Sequence, residues 1–132
     1  RLKLELTESA ILADLDETVI RMNQLRSLGI QFALDDFGTG YSSLSYLKRL
    51  PFAQLKIDRS FIHDMAEDEG TEAIVIAILS MSHALSLEVV AEGVETPIQR
   101  EFLRLRGCEL FQGYLFGKPL PIEEWQDFLA MV

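Results

Sequence analysis

Apolar and polar positions alternate along this chain in two rhythms. Five short apolar runs, Leu2 to Leu6, Ile30 to Leu34, Leu55 to Ile57, Leu87 to Ala91 and Leu110 to Leu115, have the length of buried strands. Between the first two, Ile11, Leu12, Leu15, Val19, Met22, Leu25 and Leu28 recur every three or four residues, which predicts one amphipathic helix stopped by Gly29. A shorter helix is predicted over about 43–50, ended by Pro51, and a longer one over about 71–85. Thr96-Pro97-Ile98-Gln99 has the form of a capping box, with Thr at N-cap, Pro at N1 and Gln at N3, and Gly107 closes that helix. Ile122, Trp125, Phe128, Leu129 and Val132 mark a last helix.

Strands that alternate with helices, without Asn-Gly hairpin signals, imply an α/β fold with a parallel sheet and helical crossovers. Two architectures fit: an open doubly wound sheet, or part of a barrel. The strands start near positions 2, 30, 54, 87 and 110. Eight units of that spacing would need the roughly 250 residues typical of a (β/α)₈ barrel. The 132 residues present hold about five-eighths of one.

Composition narrows the class. Apolar residues make up 48% and charged residues 25%, the balance of one globular unit and not of a disordered tail. The longest apolar run, Ala73 to Leu79, falls far short of the roughly 18 residues that span a bilayer, and the N-terminus lacks a basic stretch followed by an apolar core. No membrane span or signal peptide is therefore expected. A net charge of −9 repels polyanions, so a DNA or RNA polymer is not an expected partner. Cys108 is alone, which excludes an intrachain disulfide, points to a reducing cytoplasmic setting and suggests a small buried thiol.

The charged residues sit where the fold class places chemistry. In Leu2-Lys3-Leu4-Glu5-Leu6 the leucines share one strand face and the charges the other, and Leu55 and Ile57 likewise oppose Lys56 and Asp58. Every strand ends in polar groups: Glu5 with Glu8 beyond it, Asp35-Asp36, Lys56 with Asp58, Glu92 with Glu95, and Gln112. The carboxyl ends of parallel strands form the active face of such folds, so distant segments converge there. Glu95, directly before the Thr96 cap, also suits a plain helix-start acid. Clustered carboxylates need a cation, since two charges 4 Å apart repel by about 4 kcal/mol at an effective dielectric of 20. All-oxygen donors favour Mg²⁺, Mn²⁺ or Ca²⁺ over zinc, and adjacent aspartates can reach a pair of ions. Neither His63, expected in a turn, nor His83, in a helix without a spaced partner, has the clustering of a metal ligand. Phe37 to Ser43, with two glycines and capping hydroxyls, suggests a mobile loop that delivers the aspartates.

ELTES at 5–9, DDFGTGYSSL at 35–44, LKIDRSFI at 55–62, VVAEGVET at 89–96 and FQGYLFGKPLP at 111–121 together resemble the C-terminal part of an EAL domain, over essentially the whole chain. The resemblance implies the last five βα units of a (β/α)₈ barrel and a bacterial phosphodiesterase that linearises cyclic di-GMP to pGpG with two Mg²⁺ or Mn²⁺ ions. It implies metal ligation by Glu5, Asp35 and Asp36, with Asp35 bridging the ions. Lys56 would hold the attacking water, Asp58 would be its acidic companion, and Glu92 would support the water and second metal. Glu8 would anchor the loop after Asp36, which with the following helix would carry homodimer contacts. Gln112, Gly113 and the stretch to Pro119 would lie near the guanine and phosphate. GGDEF or sensor domains often accompany the family.

The family's Glu-Ala-Leu segment and its metal-binding asparagine belong to strands that would precede Arg1, so residues 1–132 are expected to form one partial domain. Alone they are expected to show little or no phosphodiesterase activity and to associate through exposed sheet edges. Two other readings are a cyclic di-GMP receptor that does not cleave, and a module acting only through protein contacts. Retention of Glu5, Asp35, Asp36, Lys56 and Glu92 favours catalysis.

Overall fold

The computed structural model describes residues 2–39 and 44–131. Its elements are β1 (Lys3–Thr7), α1 (Glu8–Leu12), α2 (Leu15–Ser27), β2 (Gln31–Phe37), α3 (Leu44–Arg49), β3 (Gln54–Ile57), α4 (Arg59–Asp64), α5 (Glu69–Ala84), β4 (Glu88–Glu92), α6 (Pro97–Arg104), β5 (Leu110–Gln112) and α7 (Ile122–Met131). All strand pairs are parallel, and the sheet runs β1-β2-β3-β4-β5 in sequence order. A doubly wound sheet would reverse its order at a switch point, whereas unbroken progression is that of a barrel arc. No helix among the described residues is long and apolar enough to cross a membrane.

Pairing register and strand alternation give the sheet two unlike faces. Leu34 pairs with Leu55 and Leu55 with Val89, and Ile57 pairs with Ala91, so these side chains share the face that the helices cover. Leu34, Leu55, Ile57 and Ala91 are fully buried there, packed in one core with Ile62, Val75 and Leu79. Burying aliphatic side chains is worth about 1.5–3 kcal/mol each, so this side holds the fold together. The opposite face carries Glu5, Gln54, Lys56, Glu88 and Glu92. Gln54, buried, donates to Glu88 at 2.6 Å near the strand starts, which meets the demand that a covered polar group be paired.

Several elements differ from the sequence expectation. The single helix anticipated through residues 11–28 is two, because Asp14 accepts a hydrogen bond from the Glu17 amide and caps a new helix start. Residues around His63 form α4 and not a turn: Asp58 caps it through the Ser60 amide at 2.9 Å, and His63 is exposed beside Asp64. β5 stops at Gln112, short of Leu115, where the Val94 amide donates to the Gln112 carbonyl and the Leu115 amide donates to the Val94 carbonyl. Gly113 is required at that crossing, since a Cβ would stand 2.2 Å from the Val94 oxygen. The capping box at Thr96 and Gln99 forms as expected. Cys108 is buried, which pushes its thiol pKa up. Gly40 to Ser43, and with them most of the expected mobile loop, lie outside the described residues.

Candidate metal and substrate site

A break in register builds the centre of the site. Leu34 pairs with Leu55 but Phe37 pairs with Ile57, so Asp35 and Asp36 together stand opposite Lys56. One extra residue in a strand is a β-bulge, and it re-aims side chains that alternation would send to opposite faces. Asp36 takes up a left-handed backbone with φ 56°, a conformation that aspartate tolerates better than most residues. Its amide donates to the Asp35 carboxylate at 2.9 Å.

Lys56 is the hub. Its ammonium donates to both Glu5 carboxylate oxygens at 3.0 Å, lies 2.6 Å from Glu92 Oε1 and 3.9 Å from Asp35 Oδ1. Four strands thereby meet at one cation. Burial alone would lower the Lys56 pKa, but the hydrogen bonds with Glu92 and Glu5 and the charge of Asp35 hold it above the ordinary lysine value. Burial pushes the Glu92 carboxyl up, and although Lys56 pulls it back, Asp35 and Glu5 leave it raised. Asp36 is raised by burial, by Asp35 and by Asp58, with which it shares a hydrogen bond. Asp58 resists its own burial, because the Ser60 amide and hydroxyl stabilise the charged form and hold its pKa below the usual range.

Oxygens of Asp35, Asp36 and Glu92 lie within 4.8 Å of one another. An all-oxygen set of this kind suits a hard divalent cation, and the carboxyls of Asp36 and Glu92, raised first by burial and then by neighbouring acids, would be relieved by a positive charge. The residues present therefore fit a metal. Glu5, about half exposed, stands next to this set with its carboxylate on Lys56.

The remaining candidates divide. Glu8 is buried and accepts from the Tyr46 hydroxyl at 2.9 Å, which ties the end of β1 to α3, just past the undescribed loop. Asp58, Gln112 and Gly113 line a cleft of about 450 Å³ that also contains Asp36, Glu92 and Glu95. Pro119 is not in that cleft: it lines a neighbouring apolar cavity of about 400 Å³ with Phe111, Phe116 and Trp125, which Gln112 and Gly113 border too. Sequence reasoning passed over Arg59 and Gly93, both in the acidic cleft, and the helix start at Asp58, for which the Asp-Arg-Ser order was an available signal.

The EAL domain family profile matches residues 1–119. The chain belongs to the EAL family. It is 52% identical over 128 residues to the cyclic di-GMP phosphodiesterase NbdA of Pseudomonas aeruginosa, covering 97% of this chain and 16% of that protein. To the bifunctional diguanylate cyclase/cyclic di-GMP phosphodiesterase MucR of the same organism it is 51% identical over 121 residues, 92% of this chain and 18% of MucR. The EAL segment thus spans about a sixth of the length of these relatives. Among solved structures, the P. aeruginosa MucR phosphodiesterase in complex with cyclic di-GMP superimposes with a TM-score of 0.89 at 51% identity, over 94% of this chain and 50% of that one. Klebsiella pneumoniae BlrP1 with manganese and cyclic di-GMP gives 0.81 at 37%, over 89% and 30%. The five parallel strands and their helices match part of the EAL barrel.

Proposed function

We propose that this EAL segment forms the metal-binding and catalytic rim of a bacterial phosphodiesterase that hydrolyses cyclic di-GMP to linear pGpG. The observation that carries the reading is the gathering of Glu5, Asp35 and Glu92 around Lys56, with Asp36 beside them on the bulge. Support also comes from relatives named for this activity and from BlrP1, which was solved with cyclic di-GMP and manganese or calcium. Glu5, Asp35 and Asp36 would hold Mg²⁺ or Mn²⁺. When bound, the ions would neutralise charge on the phosphate and lower the pKa of the attacking water.

The protein groups do the rest. Lys56, kept protonated, donates a hydrogen bond to the water or to a phosphate oxygen as negative charge builds. Glu92, whose carboxyl pKa burial pushes up, is a stronger base than an ordinary glutamate and can accept the water proton. Asp58, held in its charged form by the Ser60 amide and hydroxyl, stands beside Asp36, while Gln112 and Gly113 border the cleft beside the acids. Glu8 holds α3 through Tyr46, and the segment after Asp36 with α3 would supply a homodimer contact.

The 132 residues form one partial domain in this reading, and a GGDEF or sensor domain would complete the parent protein in the cytoplasm. Turnover is expected in the full protein with Mn²⁺ or Mg²⁺, abolished by chelation and by Asp35→Asn, and little or none in the 132 residues alone. Binding of cyclic di-GMP by the full protein without turnover in Mn²⁺ would overturn the catalytic reading in favour of a receptor.

A further inference from the structure

We propose that Arg59 reads the O6/N7 edge of a guanine base in the acidic cleft, an inference that rests on the cyclic dinucleotide reading above and adds a specificity residue to it. Arg59 is the only cation among the described residues lining the cleft, against the carboxylates of Asp36, Asp58, Glu92 and Glu95. Its guanidinium makes no hydrogen bond and no ion pair within 4 Å among the described residues, although its charge helps to hold down the pKa of Asp58, which precedes it in the chain. An arginine at an acidic rim that remains unpaired has its donors available to a ligand.

Its stem is held in place. Gly93, the residue after Glu92, has φ +73°, and a Cβ there would come within 2.5 Å of the Arg59 Cβ and 3.2 Å of its Cα. The missing side chain admits the root of Arg59 against the β4–α6 loop, so its stem is anchored beside Glu92, and Arg59 borders both the acidic cleft and a neighbouring hollow with Ser60, His63 and Asp64. Tyr114, 60% exposed, lines the same cleft with the Lys118 ammonium 5.3 Å from its ring centroid, and supplies an aromatic surface on which a base can stack.

With a phosphate at the carboxylate cluster, the attached base extends along this cleft. A second phosphate would face Asp58 and Glu95 beyond the metal-holding acids, whereas neutral guanine brings N1–H and N2–H₂ donors for such carboxylates and presents O6 and N7 side by side. That acceptor pair matches the two-pronged guanidinium, while adenine puts an amino donor where guanine has O6.

The test is calorimetric titration of the full protein, with Ca²⁺ present, against cyclic di-GMP and cyclic di-AMP, for the unaltered protein, Arg59→Ala and Arg59→Lys. Alanine retains the Cβ that packs on Gly93. Arg59→Ala should weaken cyclic di-GMP binding about tenfold or more, the size of a lost bidentate base contact, and cyclic di-AMP binding less than about threefold. Arg59→Lys should stay close to Arg59→Ala, because an ammonium cannot fork. Equal losses for both dinucleotides, or full rescue by lysine, would overturn the proposal in favour of a simple charge on phosphate. Binding without hydrolysis in Mn²⁺ would refute the catalytic reading while these affinities still decide Arg59, and no binding of either dinucleotide would refute both.

Discussion

Leu55 and Lys56 are neighbours in β3, yet they belong to opposite regions of the molecule. Leu55 is fully buried on the helix-covered face, among aliphatic side chains whose only requirement is shape and volume. Lys56 is almost as buried, 7% exposed, but every close partner is a carboxylate from another strand. One face of the sheet lowers the energy of the folded chain; the other concentrates like charges that the folded chain must tolerate. Strand alternation is what lets four residues of β3 serve both ends without compromise.

The largest expected effect comes from breaking the apolar side. Leu55→Ala removes buried methyl groups where the surrounding strands cannot close the gap, and should cost about 3–5 kcal/mol, read as a drop in the urea midpoint at constant slope. Next comes the polar side. Lys56→Met should lower kcat for cyclic di-GMP in the full protein by about 10²–10³-fold, as expected for loss of a preorganised donor, while shifting the unfolding midpoint less than Leu55→Ala does. A Lys56→Met protein that kept its turnover but unfolded like Leu55→Ala would erase the distinction between the faces.

Tyr46 joins the two regions, since its ring lies in the core and its hydroxyl reaches Glu8 at the rim. Tyr46→Phe should cost about 1.5–3 kcal/mol, the range for a buried hydrogen bond to a charged acceptor. Burial, the hydrogen bond to Glu8 and the Glu8 charge push the Tyr46 pKa up from about 10. A group with a raised folded pKa gives stability that is complete below its unfolded value and lost as pH rises through the folded one. Alkaline titration should therefore erode stability above about pH 10, and more steeply in the unaltered protein than in Tyr46→Phe.

The positions of Leu55 and Lys56 on opposite faces were legible in the alternation of LKID, and the convergence of Glu5, Asp35 and Glu92 followed from parallel strand ends. Periodicity could not reveal the bulge at Asp35-Asp36, because two-residue alternation puts adjacent aspartates on opposite faces and only pairing to β3 shows the extra residue. The split at Asp14 was hidden for a related reason: apolar spacing continues from Ile11 to Leu15 across a cap that is set by one polar side chain. Pro119 fell outside the acidic cleft because the chain turns after Gly113, a crossing dictated by contact with Val94, 19 residues earlier in sequence, and not by local pattern. Arg59 was passed over since a lone arginine after a helix cap carries no sequence signal until Gly93 is seen against it.

The smallest expected effect tests the apolar side at a polar flaw. Ser82, in α5, is fully buried, and its hydroxyl has no hydrogen-bond partner among the described residues. A desolvated hydroxyl without a partner is destabilising, and alanine is the better helix former at an interior position. Ser82→Ala deletes only the oxygen, so it leaves little cavity and should raise stability by about 1 kcal/mol with turnover unchanged. Thermal melts of the two proteins decide it. A loss of stability would mean that the hydroxyl has a partner, such as a buried water, and that the helix-covered face is less uniformly apolar than its packing indicates.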